Sequence, residues 1–174
     1  MTSEGKVSAR HVLSLRQDTV PRSLVLVEES TLKLVIFSIQ NELFAIAGTH
    51  IREILPYTAI HFVPGCPAAL EGVINVRGDI TSVIRLGGLL GLNKTPITRH
   101  SSILLGVGGG MISGLLIDRM LDVLDTPQSA IRPPATTLPS HLQTFVSGIY
   151  RHCDQAVTVL DLELLFQEYL RGLG

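Results

Sequence analysis

The sequence predicts an all-β fold of many short strands, built as a duplicated unit and closed by one C-terminal helix. Three observations carry this expectation. The 174 residues include 16 Gly and 9 Pro, with no Trp and only 5% aromatic residues. The core must therefore be Ile, Leu, Val and Ala on strands broken by turns. A central stretch of the chain returns near its end, and the last apolar stripe alone has helical spacing.

The recurring stretch is Glu71–Leu92. Gly72–Leu90 aligns with Gly148–Phe166 at an offset of 76, with identical pairs at Gly72/Gly148, Val83/Val159, Leu86/Leu162 and Leu89/Leu165. Upstream, Ile51–Leu55 aligns with Met120–Leu124 at an offset of 69. Two blocks in the same order point to an internal duplication. The second copy then needs a longer connection between its blocks, and the Pro-rich run 125–140 supplies it.

Taken in order, residues 1–30 read as a mobile extension, in which Leu24–Val27 is the one apolar segment. Leu32–Ile39 and Leu43–Ala47 read as strands around the turn Gln40-Asn41-Glu42. His50–Leu55 is a short mixed segment ended by Pro56. Val73–Val76 and Ile80–Leu86 fold back at Arg77-Gly78-Asp79, and Gly87–Leu92 gives a brief turn or helix. Ile103–Val107 and Met111–Ile117 flank Gly108-Gly109-Gly110. Met120–Leu124, Thr144–Tyr150 and Ala156–Leu160 complete the strands. In 162–171, Leu162, Leu165, Phe166, Tyr169 and Leu170 share one helix face, and Asp161 stands at the N-cap.

The bulk numbers exclude several classes. A net charge of −1 with 17% charged residues gives no electrostatic case for nucleic acid or an anionic membrane surface. No apolar run is long enough to span a bilayer, and the N-terminus lacks the apolar core of a signal peptide. Two cysteines, Cys66 and Cys153, fit a reducing cytoplasm better than a disulfide framework.

Candidate chemistry is thin. Gly106-Val-Gly-Gly-Gly110 lacks the remaining residues of a phosphate loop and reads as a hairpin turn. His61, Cys66, His152 and Cys153 lack metal-ligand spacing, and both cysteines read as buried apolar residues. Glu53 and Asp122 are equivalent carboxylates in the two copies, each read as paired with a nearby Arg or solvated. No cofactor is implied. Asn75 and Arg77 stand out in apolar surroundings. Asn75 can bend the hairpin and Arg77 can be a solvated charge, or Arg77 can be a forked anchor beside Glu53 in a protein interface.

Gly72-Val-Ile-Asn-Val-Arg-Gly78 resembles the Gly-Val-Ile-Asn-Leu-Arg-Gly signature of the chemotaxis coupling protein (CheW-like) family. Supporting pieces follow in order: Phe44-Ala-Ile, Ile51-Arg-Glu-Ile, Val63-Pro-Gly-Cys-Pro67, Gly114-Leu-Leu-Ile-Asp118, Ile131-Arg-Pro-Pro and Val159-Leu-Asp-Leu162. The resemblance spans roughly residues 31–170. It implies two five-stranded SH3-like β-barrels, the first mainly within 31–100 and the second mainly within 101–160, with a hydrophobic groove between them. It also implies a non-enzymatic adaptor that joins the cytoplasmic tip of a chemoreceptor (a methyl-accepting chemotaxis protein) to the regulatory domain of a CheA-type histidine kinase. Such an adaptor is cytoplasmic and recruited to membrane-associated receptor arrays. The alternative is an enzyme or small-ligand carrier using the inter-barrel groove. By resemblance, Glu53 and Arg77 form an acid–Arg pair, and Asn75, Ile51, Gly72, Gly78 and Met120 belong to the protein-binding region.

Three departures mark the chain as a diverged paralogue. Ala47 and Ser82 stand where the family has Pro, and Arg85 stands where it has the Asp of Val-Ile-Asp-Leu. Arg cannot accept N-cap hydrogen bonds, so Arg85→Asp is expected to stabilise a weak first-copy helix by about 0.5–1 kcal/mol.

Overall fold

A computed structural model describes residues 29–134 and 136–173. The expected mobility of residues 1–30 therefore concerns a segment outside the described residues, apart from Glu29 and Ser30. The Ser30 carbonyl accepts from the Gln128 amide at 3.0 Å, which places the start of the described chain beside the end of a strand.

Strands β1 (Thr31–Ile39) and β2 (Glu42–Ala47) form a hairpin, β3 (Ile51–Pro56) follows, and β4 (Leu70–Val76) pairs with β5 (Asp79–Arg85). One helical turn, α1 (Leu86–Leu89), ends this series. The same order then repeats with β6 (Ser102–Gly108), β7 (Met111–Ile117), β8 (Arg119–Pro127), β9 (Val146–His152) and β10 (Gln155–Leu160). A four-residue helix, α2 (Ser140–Gln143), precedes β9, and α3 (Leu162–Arg171) closes the chain. The Asp161 side chain accepts from the Leu164 amide at 3.1 Å, the N-cap its position predicts.

The hairpins follow from their turn residues. Arg77-Gly78, Gly109-Gly110 and Cys153-Asp154 each carry two consecutive positive φ angles. That is the two-residue geometry whose twist matches paired strands. The bend between β4 and β5 is thus made by Arg77 and Gly78, while Asp79 already opens β5. The glycine run after β6 is a turn.

The barrels are five-stranded but not consecutive in the chain. One sheet has the order β8-β1-β2-β10-β9 and the other β3-β6-β7-β5-β4. Three strands of each barrel lie in the half of the chain expected for it, and two come from the other half. Each barrel takes its first hairpin from one copy and its last three strands from the other. The parallel contacts that join these pieces are equivalent: Val83 lies opposite Gly114, and Val159 opposite Ala45. The antiparallel partners Gly72–Val83 and Gly148–Val159 repeat as well. So do the isolated bridges His61–Val73 and Arg132–Ile149.

Alternation along the strands explains the core. In β1, Leu34 and Ile36 fill the β1 barrel with Ala45, Val157 and Val159. Val35, Phe37 and Ile39 face the other way, into a central layer shared with Leu104, Leu115 and Ile117. The β3 barrel is filled by Ile74, Val83, Ile103 and Leu116. The middle strands are buried on both faces, so they read as continuous apolar runs. Leu162, Leu165 and Phe166 of α3 seal the central layer. Neither cysteine is a core residue: Cys66 is half-buried and Cys153 exposed. Cys153 sits in a turn at φ 46°, which holds its side chain out of the strand ladder.

Candidate protein-binding site

The site begins with a tight turn. The Asn75 side-chain oxygen accepts from the Gly78 amide at 2.7 Å and braces the bend between β4 and β5. Arg77 occupies that bend at φ 52°. Positive φ is uncommon for a side-chain-bearing residue, and here the two-residue turn imposes it and fixes where the side chain leaves the backbone. Arg77 is aimed at β3: its Nη2 donates to Glu53 Oε1 at 2.7 Å. The two open edges of the β3 barrel are β3 and β4, so this pair spans the seam between them. The Arg77 side chain is 77% exposed and that of Glu53 25%. A screened pair of this kind adds little to folding, about 0.2–1 kcal/mol.

Beside the pair lies an open hollow of about 750 Å³, whose lining includes Arg52, Val76, Thr81, Ser82 and the apolar Ile80 and Ile112. Ile80 is 70% exposed, on the outward face of β5. Sequence reading missed it. The available signal was an isoleucine directly opposite Asn75, at a register position where its neighbour Ser82 is polar. Ser82 itself is tied to Ser113, with 2.9 Å between the hydroxyl oxygens.

The expected site residues separate into two groups. Glu53, Asn75, Arg77 and Gly78 come together at the seam. Ile51 begins the strand that carries Glu53, but its side chain packs on the central core. Gly72 is buried, with φ 150°, and a Cβ there would run into the His61 carbonyl oxygen. It makes room for the bridge between His61 and Val73. Met120 lies in the other barrel, opposite Phe37, and packs on the central core. The Glu53 equivalent, Asp122, lies 3.8 Å from His152, across the corresponding seam between β8 and β9.

Arg85 does not cap α1. It is buried, with Nε and Nη2 donating to the two Glu71 carboxylate oxygens at 2.9 Å each and Nη1 donating to the Thr95 carbonyl at 2.9 Å. Against the expected gain, Arg85→Asp removes three hydrogen bonds of a buried guanidinium.

Residues 33–169 match the CheW-like domain family. The chain belongs to that family. A probable chemotaxis protein CheW from Rhizobium etli is 31% identical, over 78% of this chain and 88% of that protein. The chemotaxis protein CheW of Treponema pallidum is 25% identical, over 90% and 92%. Among solved structures, the scaffolding protein TtCheW from Thermoanaerobacter tengcongensis superposes with a TM-score of 0.70 at 29% identity, covering 81% of this chain and 91% of that one. The two five-stranded sheets are the two SH3-like barrels of the CheW-like fold. As a member of this family, the protein is a chemotaxis-type coupling adaptor and not an enzyme. No helix among the described residues is long and apolar enough to cross a membrane.

Proposed function

We propose that this CheW-like adaptor couples the cytoplasmic tip of a chemoreceptor to the regulatory domain of a CheA-type histidine kinase, and that the Glu53–Arg77 seam receives one of these partners. The adaptor then joins membrane-associated receptor arrays through its partners. The observation that carries this reading is the juxtaposition of an exposed, conformationally constrained Arg77 with the solvent-facing Ile80 and Ile112. A forked cation beside exposed apolar side chains is the composition of an interface centre.

The test separates a folding role from a binding role. Arg77→Ala keeps the melting temperature close to that of the parent, because a screened ion pair contributes little. It weakens binding to a receptor tip or to the kinase regulatory domain by roughly thirtyfold, the equivalent of about 2 kcal/mol at a hot spot. Glu53→Ala does much of the same harm, and the double variant loses less than the sum of the singles. Unfolding of Arg77→Ala makes the pair structural; normal binding to both partners removes the seam from the interface.

A further inference from the structure

On the side of the β1 barrel that faces α1 and α2 lies a hollow of about 360 Å³. Its floor is the buried Phe44, Leu90 and Leu160. Its rim carries three polar groups, Glu42, His141 and Thr158. Strands place Glu42 and Thr158, and α2 carries His141. Thr158 pairs with Phe44 across the parallel β2–β10 contact, and Glu42 opens β2 directly after the β1–β2 turn.

Both walls are held in place by hydrogen bonds. On one side, Gln40 Nε2 donates to the Asn93 carbonyl at 3.1 Å, and the Leu92 amide to the Gly87 carbonyl at 2.8 Å. The Gln40 amide also donates to Asp118 at 2.6 Å. On the other side, the Leu142 amide donates to the Pro139 carbonyl at 2.9 Å, and Gln143 Nε2 to the Leu138 carbonyl at 2.6 Å. The hollow is therefore formed before anything enters it. A pre-formed apolar cavity of a few hundred Å³ with a few convergent polar groups is the usual form of a small-molecule site.

We propose that this hollow binds a compact apolar molecule carrying one amino group. Glu42 is the only carboxylate of the rim and makes no ion pair among the described residues. An ammonium group beside it gains a charge-assisted hydrogen bond, while the hydrocarbon body covers Phe44 and Leu160. Apolar floor and single acid together select an arylalkyl amine over its neutral or acidic analogues. The bound molecule touches both the segment after β5 and α2, so it ties the two copies together on the barrel opposite the one that carries Arg77.

Phenethylamine is the probe, titrated into the full chain by calorimetry and followed by amide chemical shifts. The expected result is saturable binding with shifts centred on Phe44, Leu90, Thr158 and Leu160. Phenylpropionate, of matching size and opposite charge, does not bind. Glu42→Gln, at the exposed first residue of β2, weakens phenethylamine roughly tenfold through loss of the charged hydrogen bond. Leu138→Trp, which fills the hollow from its rim, abolishes binding without altering the Arg77-dependent partner affinity. Absence of saturation overturns the proposal, as do equal binding of phenylpropionate, shifts clustered elsewhere, or indifference to both substitutions in folded variants.

Discussion

Arg85 and Glu71 form a bidentate ion pair in which both carboxylate oxygens accept from one guanidinium. The equivalent of Arg85 in the second copy is Asp161, which caps α3. The same backbone position thus ends the fifth strand in two ways. A carboxylate at 161 accepts from the helix amides and a ten-residue helix grows from it. The cation at 85 turns instead to Glu71 and to the Thr95 carbonyl, and α1 stops after one turn with no side-chain cap. Thr95 in turn donates to Asp118 at 2.6 Å, which also holds the Gln40 amide of the other barrel. The departure from the family's Asp therefore sits within a polar chain that crosses the barrel junction.

Arg85→Asp should destabilise the protein by about 3 kcal/mol, because it leaves a second carboxylate facing the half-buried Glu71. Glu71→Arg combined with Arg85→Asp should recover part of the loss by restoring opposite charges, although Lys94, 3.4 Å from Glu71, then meets a like charge. Urea midpoints of the three variants decide it. A more stable Arg85→Asp protein would restore the capping explanation.

Stability should also fall in acid through this pair. Hydrogen bonding from Arg85 and the charges of Arg85 and Lys94 hold the Glu71 carboxyl below the ordinary range, against an opposing upward push from burial. A group with a depressed folded pKa stabilises fully above its unfolded value, about 4.3 for Glu, and loses that contribution as pH falls through the lower folded value. Glu71→Gln should flatten this acid limb in melting temperatures recorded from neutral pH downwards. An unchanged limb would place the acid sensitivity elsewhere.

Gly72→Ala should cost about 2–4 kcal/mol, since a methyl group meets the His61 backbone and cannot be accommodated by a side-chain rotation. The same collision awaits Gly148→Ala against Ile131 and Arg132 at the equivalent bridge. Denaturant unfolding measures both. Near-parent stability of Gly72→Ala, together with a loss of partner binding, would make the role of Gly72 one of binding rather than folding.

Neither half of the chain should fold alone. A fragment covering 29–100 holds three strands of one sheet and two of the other, leaving each barrel without its parallel closure. It should show poorly dispersed amide spectra and no cooperative melt, and mixing it with 101–174 should restore both. Independent folding of either fragment would contradict the strand exchange.

The sequence by itself determined what is local. Turn residues set the hairpins at Arg77-Gly78 and Gly109-Gly110, the 3.6-residue stripe from Leu162 fixed α3, and Asp161 marked its start. The duplication and the Glu53–Arg77 pair were legible through matched blocks and the family signature. Tertiary structure alone decided which strands share a barrel. The two copies carry the same alternation, so exchanging their first hairpins leaves every apolar pattern satisfied, and periodicity cannot tell the two arrangements apart. It also decided that Gly72 lies buried against His61, that Met120 packs on the central core, that Ile80 faces solvent, and that Arg85 finds Glu71. Each of these depends on what a distant segment places opposite the residue, and a side chain's burial or partner is fixed only when that segment arrives.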